Sequence, residues 1–261
     1  MITSLQFLFR HRRILWSTTV NDIRGRYAGT VLGIAWTVLY PLLFLGLYVV
    51  VYTMIFKIRI GGVTNFEYVL LIFSGLIPFF GLSEALGIGV GSVLSNRGLI
   101  KNTLFPIELI PVKAVLVGSL SMLIGLTLLL ILLWVRGTVH LSQLFTPAIL
   151  ALQILFTIGL IWPLSALNVF LRDLGQVTSV MVLFLMLVSP IAYTVDMVPS
   201  ELMPYMYLNP LHYLIMLYRE CIVVGTVPVK YFIVFSFISL TTFWLGHYVF
   251  SRFKEIFVEH V

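Results

Sequence analysis

Six aromatic side chains, Trp36, Tyr40, Phe44, Tyr48, Tyr52 and Phe56, recur at every fourth position through an apolar stretch of the chain. On a helix this spacing puts them on one face, drifting slowly around the axis because four residues overshoot a turn. At about 1.5 Å of rise per residue the row is roughly 30 Å long, close to the thickness of a hydrocarbon core. Rings at the two ends alone would be an interfacial belt. Tyr48 falls at the centre, however, where lipid offers its hydroxyl no partner. Two kinds of chemistry suit the row. One is packing against a neighbouring helix, with the hydroxyls bonded across the contact. The other is the lining of a passage for sugars, whose ring faces stack on aromatic rings while tyrosine hydroxyls exchange hydrogen bonds with them.

Little else in the chain offers covalent or metal chemistry. The histidines, His11, His140, His212, His247 and His260, are scattered without a paired ligand spacing, and Cys221 is the single cysteine. Neither a metal site nor an intrachain disulfide is expected, and a membrane-embedded enzyme is disfavoured. No G-x-x-x-x-G-K-[ST] run occurs and no glycine is followed by lysine, so no ATP site is expected in this chain. An ion channel would show a ring of charges or a carbonyl filter, and neither is evident. Glu84 is a carboxylate deep in an apolar stretch, either functional or a hydrogen-bonded structural group. Gly87 and Gly91, with Gly89, suggest close approach of a neighbouring helix.

The elements that must position these residues follow from composition. With 60% hydrophobic and 10% charged residues the chain reads as an all-α polytopic membrane protein. Six transmembrane helices are expected at about residues 31–56, 67–94, 109–135, 146–170, 175–195 and 229–250. Residues 1–30 form an amphipathic interface segment rather than a cleavable signal, with Arg10, His11, Arg12 and Arg13 interleaved among apolar residues; residues 31–261 form the transmembrane domain. Residues 95–107 are too polar to span and too apolar for a plain linker, which suits a short surface helix with Leu104 and Phe105 as knobs for a soluble partner.

Asn209-Pro210 is a helix start and Gly225 a helix stop, leaving a helix of about 22 Å, short for a span. Residues 197–224 therefore read as a re-entrant helical hairpin between the fifth and sixth spans, its breaks shielded by protein. Within that frame eleven basic residues, Arg10, Arg12, Arg13, Arg24, Arg26, Arg97, Lys101, Lys113, Arg172, Arg252 and Lys254, share the side of the termini. Five, Lys57, Arg59, Arg136, Arg219 and Lys230, lie opposite. The asymmetry makes both termini cytoplasmic.

An ordered set of motifs runs through nearly the whole chain. It comprises Asp22-Ile23-Arg24-Gly25-Arg26-Tyr27 with Gly29, Leu32-Gly33, Trp36 and Pro41, then Leu104-Phe105-Pro106 with Pro111 and Asn168 with Arg172-Asp173. Ser189-Pro190-Ile191 with Tyr193 and Leu208-Asn209-Pro210 with Tyr218-Arg219 complete it. This set resembles the type-2 ABC transporter permeases that export lipid-linked polysaccharides, including O-antigen and teichoic acid. Ala28 stands where many of those permeases are basic.

The resemblance implies a homodimer in the bacterial inner membrane, with the aromatic first helix facing a path between two six-helix halves. It also implies two separate ATP-binding cassette subunits that hold ATP and Mg, with no cofactor in this chain and no nucleic acid partner. Carried over to this sequence, Arg97, Lys101, Asn102, Thr103, Leu104, Phe105 and Pro106 would couple to the ATPase. Ser189, Pro190, Tyr193, Asn209, Pro210, Tyr218, Arg219 and Glu220 would form an extracytoplasmic gate. A polyprenyl-diphosphate carrier would keep its tail in membrane lipid while Arg24 and Arg26, with Arg10, Arg13 and Tyr27 at the same entrance, attract the diphosphate. The alternatives are an exporter of teichoic acid or of a small hydrophobic drug from the same superfamily. For Arg219-Glu220 a local ion pair is an equally good reading.

Overall fold

The structure is a computed structural model that describes residues 2–55, 65–102, 105–191 and 193–258 of the chain. Phe56, Thr103 and Leu104 lie outside the described residues, as do the side chains of Tyr48, Tyr52 and Asn102. Among the described residues every regular element is helical.

Helices α1 (Ile2–Arg10) and α2 (Arg12–Tyr27) form the amino-terminal segment, broken at His11. The chain then passes through Gly29 and Gly33, both at positive φ, and a 3-10 turn at Gly33–Ala35. These glycines carry a reversal that side chains resist, so the aromatic helix α3 begins at Trp36 and not at residue 31. It runs as α-helix over Trp36–Val49 and continues as a π-helical turn over Val50–Ile55.

Helix α4 (Asn65–Gly89) is the centre of the bundle. Apolar residues are spread around most of its circumference, the pattern of a largely enclosed helix, and Tyr68, Phe73, Leu76, Phe79, Leu82 and Ala85 are all buried. It packs against α7 (Leu109–Gly118), α8 (Leu120–Val135) and α12 (Pro210–Arg219). After α4 come α5 (Ser92–Ser95) and α6 (Arg97–Asn102). The expected span at 67–94 therefore stops at Gly89, in a stretch where Gly87, Gly89 and Gly91 weaken the helix.

On the other flank α9 (Thr146–Phe170) packs along most of its length against α13 (Val229–Val258). Between them in sequence come α10 (Leu174–Val188) and α11 (Met203–Leu208). Helix α10 ends well before residue 195, because Ser189 precedes Pro190 and is pushed to the extended conformation, with ψ 146°.

Among the described residues four stretches, Glu67–Gly89, Leu109–Val135, Leu141–Phe170 and Val229–Lys254, are long and apolar enough to cross a membrane, and Leu174–Val188 is a shorter apolar helix. The helix starts and stops of the hairpin region follow local chemistry. Asn209 caps α12 by accepting the Leu211 N–H at 3.0 Å, and after a π-helical turn at Glu220–Val224 the helix stops at Gly225, φ 91°.

The close helix approaches are not where Gly87 and Gly91 suggest. A Cβ on Gly87 would meet nothing within 4 Å, and one on Gly91 only the Ser95 hydroxyl at 3.9 Å. A Cβ on Gly89 would lie 2.6 Å from the Ile161 side chain. The tightest seam joins α9 to α13: a Cβ on Gly159 would lie 2.5 Å from backbone atoms of Thr242 and Phe243, and one on Gly246 would overlap the Gly159 carbonyl oxygen. Backbone cannot yield as a side chain does, so Gly246→Ala is expected to cost about 1–3 kcal/mol. Gly87→Ala should be near neutral. Thermal unfolding of the two variants in detergent, read by loss of the monodisperse peak, distinguishes them.

Candidate functional site

Five elements converge on a cavity of about 500 Å³ at the end of the bundle that carries α2. The last turn of α2 supplies Arg26 and Tyr27, and the first turns of α3 supply Trp36, Tyr40 and Pro41. Helix α4 contributes Ile77, Phe80, Ser83, Glu84 and Gly87, while Ser121 and Gly125 come from α8 and Thr178, Ser179 and Val182 from α10. Gly87 thus opens space for the cavity in place of a helix contact.

The cavity has two chemically distinct walls. Trp36, Tyr40 and Phe80 make the aromatic one: Tyr40 stands edge-on to Phe80 at 6.5 Å, and Phe44 packs edge-on against Phe80 at 4.4 Å. Of the aromatic row, Trp36 and Tyr40 line the cavity, while Phe44 is engaged with a neighbouring helix.

The polar wall is an Arg26–Glu84 ion pair beside Tyr27, with the Arg26 guanidinium 5.7 Å from the Tyr27 ring centre. Burial pushes the Tyr27 hydroxyl pKa up; the Arg26 charge opposes this and Glu84 adds to it. The hydroxyl therefore stays protonated at neutral pH, a donor facing the cavity. Arg10, Arg13 and Arg24 are exposed on α1 and α2 and do not line the cavity.

Two further ion pairs tie the same end together. Lys113, almost fully buried on α7, pairs with Asp22 of α2 at 2.8 Å and donates to the Asn96 side chain at 3.2 Å. Lys254 of α13 pairs with Glu108 at 2.6 Å, and the Trp162 indole donates to the Glu108 carbonyl at 3.0 Å. Between these anchors α6 carries Arg97, half-buried, and Lys101, exposed; Phe105 and Pro106 are half-buried, and Phe105 packs onto the core. None of Asp22, Asn96, Lys113 and Glu108 stands out by spacing, since each partner is remote in sequence.

The opposite end is built around Arg219, 5% exposed. Its guanidinium donates to the carbonyls of Pro190 at 2.9 Å and Ile191 at 3.1 Å, with longer contacts of 3.4 Å to Leu71 and Tyr193. Glu220 does not take part: its carboxylate accepts the Thr226 hydroxyl at 2.6 Å. The local ion-pair reading is therefore replaced by an arginine that caps broken backbone. Nearby the Asn209 amide donates to the Ser189 hydroxyl at 3.0 Å, and the Tyr193 hydroxyl donates to the Val188 carbonyl at 2.7 Å. Tyr218 is fully buried, and Pro210 lies at the start of α12. Hydrogen bonds among Ser189, Pro190, Tyr193, Asn209 and Arg219 thus join the end of α10 to α12, while Pro210, Tyr218 and Glu220 are their neighbours in sequence and make none of these bonds.

Residues 13–223 match the family model described as ABC-2 type transporter. The chain belongs to this family. Over 92% of both chains it is 29% identical to the O-antigen export system permease protein RfbA of Klebsiella pneumoniae. It is 26% identical over the whole of both chains to the protein of that name from Myxococcus xanthus. The polysialic acid transport protein KpsM of Escherichia coli is 25% identical over 85% of this chain and 87% of its own. With the apolar spans this makes the protein a multi-pass membrane protein of a transporter family, and the matched region takes in the cavity, the Arg26–Glu84 and Lys113–Asp22 pairs and Arg219 with the carbonyls it holds.

Hydrogen bonds from a charged donor are worth about 1.5–3 kcal/mol each. Arg219→Leu, which leaves the Pro190 and Ile191 carbonyls bare, should therefore destabilise the protein by at least one such bond, and Glu220→Gln far less. Exchange of the pair, Arg219→Glu with Glu220→Arg, should not restore stability. Thermal melts of the four proteins in detergent give the comparison.

Proposed function

We propose that the chain is the permease subunit of an ATP-driven exporter of polyprenyl-diphosphate-linked polysaccharide of the O-antigen kind. The observation that carries this reading is the cavity's pairing of an aromatic wall, Trp36, Tyr40 and Phe80, with an arginine and a tyrosine hydroxyl at its mouth. Aromatic faces accept sugar rings of varied identity, and a guanidinium fork suits phosphate oxygens. The names of the full-length relatives, O-antigen export permease and polysialic acid transport protein, point to the same cargo class. A small apolar drug would find little use for an ion pair set among the hydroxyls of Ser83, Ser121, Thr178 and Ser179.

In this reading the α2 end is cytoplasmic, in the inner membrane, and both termini lie there. The chain crosses six times, with α3 and α10 completing the set, and residues 197–224 dip in from the far side. Helices α1 and α2 lie along the membrane surface, consistent with exposed Leu5, Phe9, Ile14 and Trp16 beside exposed arginines. Two copies meet across the apolar faces of α3 and α10, where Leu43, Leu47, Val180, Leu183 and Leu187 are exposed. The remaining rungs, Tyr48, Tyr52 and Phe56, extend the lining.

Two ATPase subunits, which bind ATP and Mg, seat the segment from Arg97 to Pro106. The diphosphate enters at Arg26 and Tyr27, drawn in by the surface charges of Arg10, Arg13 and Arg24, while the lipid tail stays in the bilayer. Sugars then advance over the rings, and the group from Ser189 to Glu220 controls the exit.

Replacing both Arg24 and Arg26 by Gln should cut surface glycan at least about tenfold, the scale of losing one well-made charged contact. Membrane insertion and co-purification with the ATPase should be unchanged. Quantitative glycan blotting beside pull-down of the complex gives both readings, and unchanged export would remove these arginines from the mechanism.

A further inference from the structure

Glu84 is the acidic member of the cavity lining, and its geometry gives it a part that attraction of an anion alone does not require. Its side chain is 18% exposed against 40% for Arg26, so the carboxylate lies deeper and the guanidinium nearer the mouth. The neighbouring hydroxyls are weak competitors for an anion. Ser83 donates to the Phe80 carbonyl at 3.0 Å, Thr178 to that of Leu174 at 2.7 Å and Ser179 to that of Gly175 at 3.1 Å, so each spends its proton on its own helix. The positive charge of the lining is Arg26, and Glu84 already holds it.

An uncovered arginine at a membrane surface would be occupied continuously by phosphodiester headgroups, which carry one negative charge each. With Glu84 in place such a headgroup gains one ion pair only by breaking another. It also strands a carboxylate in a largely apolar cavity, where an unpaired charge is costly. A diphosphate brings at least one more charge and more acceptor oxygens to the five N–H donors of the guanidinium, and so keeps a useful affinity after meeting a displacement cost that leaves a monoanion unbound.

We propose that Glu84 is a built-in competitor for the headgroup site, holding Arg26 in the empty permease and lowering the affinity of every anion that takes the guanidinium, so that a diphosphate still occupies it while a singly charged phosphodiester does not. The carboxylate then sets the occupancy threshold of the entrance, and the ligands' own charge sets the ratio of their affinities. This rests on the reading of the cavity mouth as the substrate entrance.

The test uses the permease with its ATPase in phosphatidylcholine nanodiscs. Farnesyl diphosphate and the monoanionic short-chain lipid dihexanoyl phosphatidylglycerol are titrated separately. The native complex should prefer the diphosphate. Glu84→Gln should tighten both ligands by about fivefold, the upper end for an ion pair partly open to water. Glu84→Asp, which keeps the charge but draws it back by one methylene, should tighten both by a smaller step, and serves if the first variant does not assemble. Unchanged affinities in these variants, with Arg26→Gln still weakening the diphosphate, overturn the competitor role and leave the entrance reading standing. If Arg24→Gln and Arg26→Gln leave both affinities unaltered, the entrance reading fails and the role of Glu84 fails with it.

Discussion

Buried among other side chains, a peptide group that leaves its helix needs another hydrogen-bond partner, and the arrangement at the Arg219 end follows from that constraint. Where α10 stops at Val188, the carbonyls of Pro190 and Ile191 point away from any helix and are met by Arg219. Where α12 widens into a π-helical turn, the carbonyls of Cys221 and Ile222 are met by the Ser142 hydroxyl at 2.7 Å and the Gln143 amide at 3.1 Å. Gln143 is itself fixed by the Trp134 indole, which donates to its side-chain oxygen at 2.7 Å. Backbone irregularity is thus tolerated because side chains from other helices supply the missing donors, and each donor ties two elements together.

The α2 end is organised differently. There the polar groups are ion pairs between side chains, Arg26 with Glu84, Lys113 with Asp22 and Lys254 with Glu108, and each joins elements far apart in the sequence. Charges paired in this way exchange partners more readily than backbone carbonyls held by a buried guanidinium, since part of each pair remains open to water. One end of the bundle is therefore fastened by groups that have no alternative partner, and the other by groups that an incoming charged ligand or protein is able to compete for.

Local chemistry was legible in the sequence and long-range pairing was not. Asn209 and Gly225 mark helix ends through their own backbone preferences, and the period of the aromatic row survives in Trp36 and Tyr40, which share one wall of the cavity. The helical class followed from composition alone. The partner of Glu84 escaped notice because nothing about Arg26 distinguishes it from Arg24, two residues away and exposed. The partner of Arg219 escaped for a deeper reason: carbonyls belong to every residue, so the adjacent Glu220 drew the inference instead. The glycine spacing misled because a small residue makes room without saying for what. Gly87 makes room for a cavity, whereas Gly159 and Gly246 make room for each other.

That last pairing has a mechanical consequence. Helices that meet through side chains slide by switching rotamers, but α9 and α13 meet peptide plane to peptide plane and have no such freedom. Together they act as a keel, a stiff beam along one flank of the subunit. Any shear within the protein is thereby steered to the far flank, where α3 and α10 border the cavity through interchangeable rings and methyl groups.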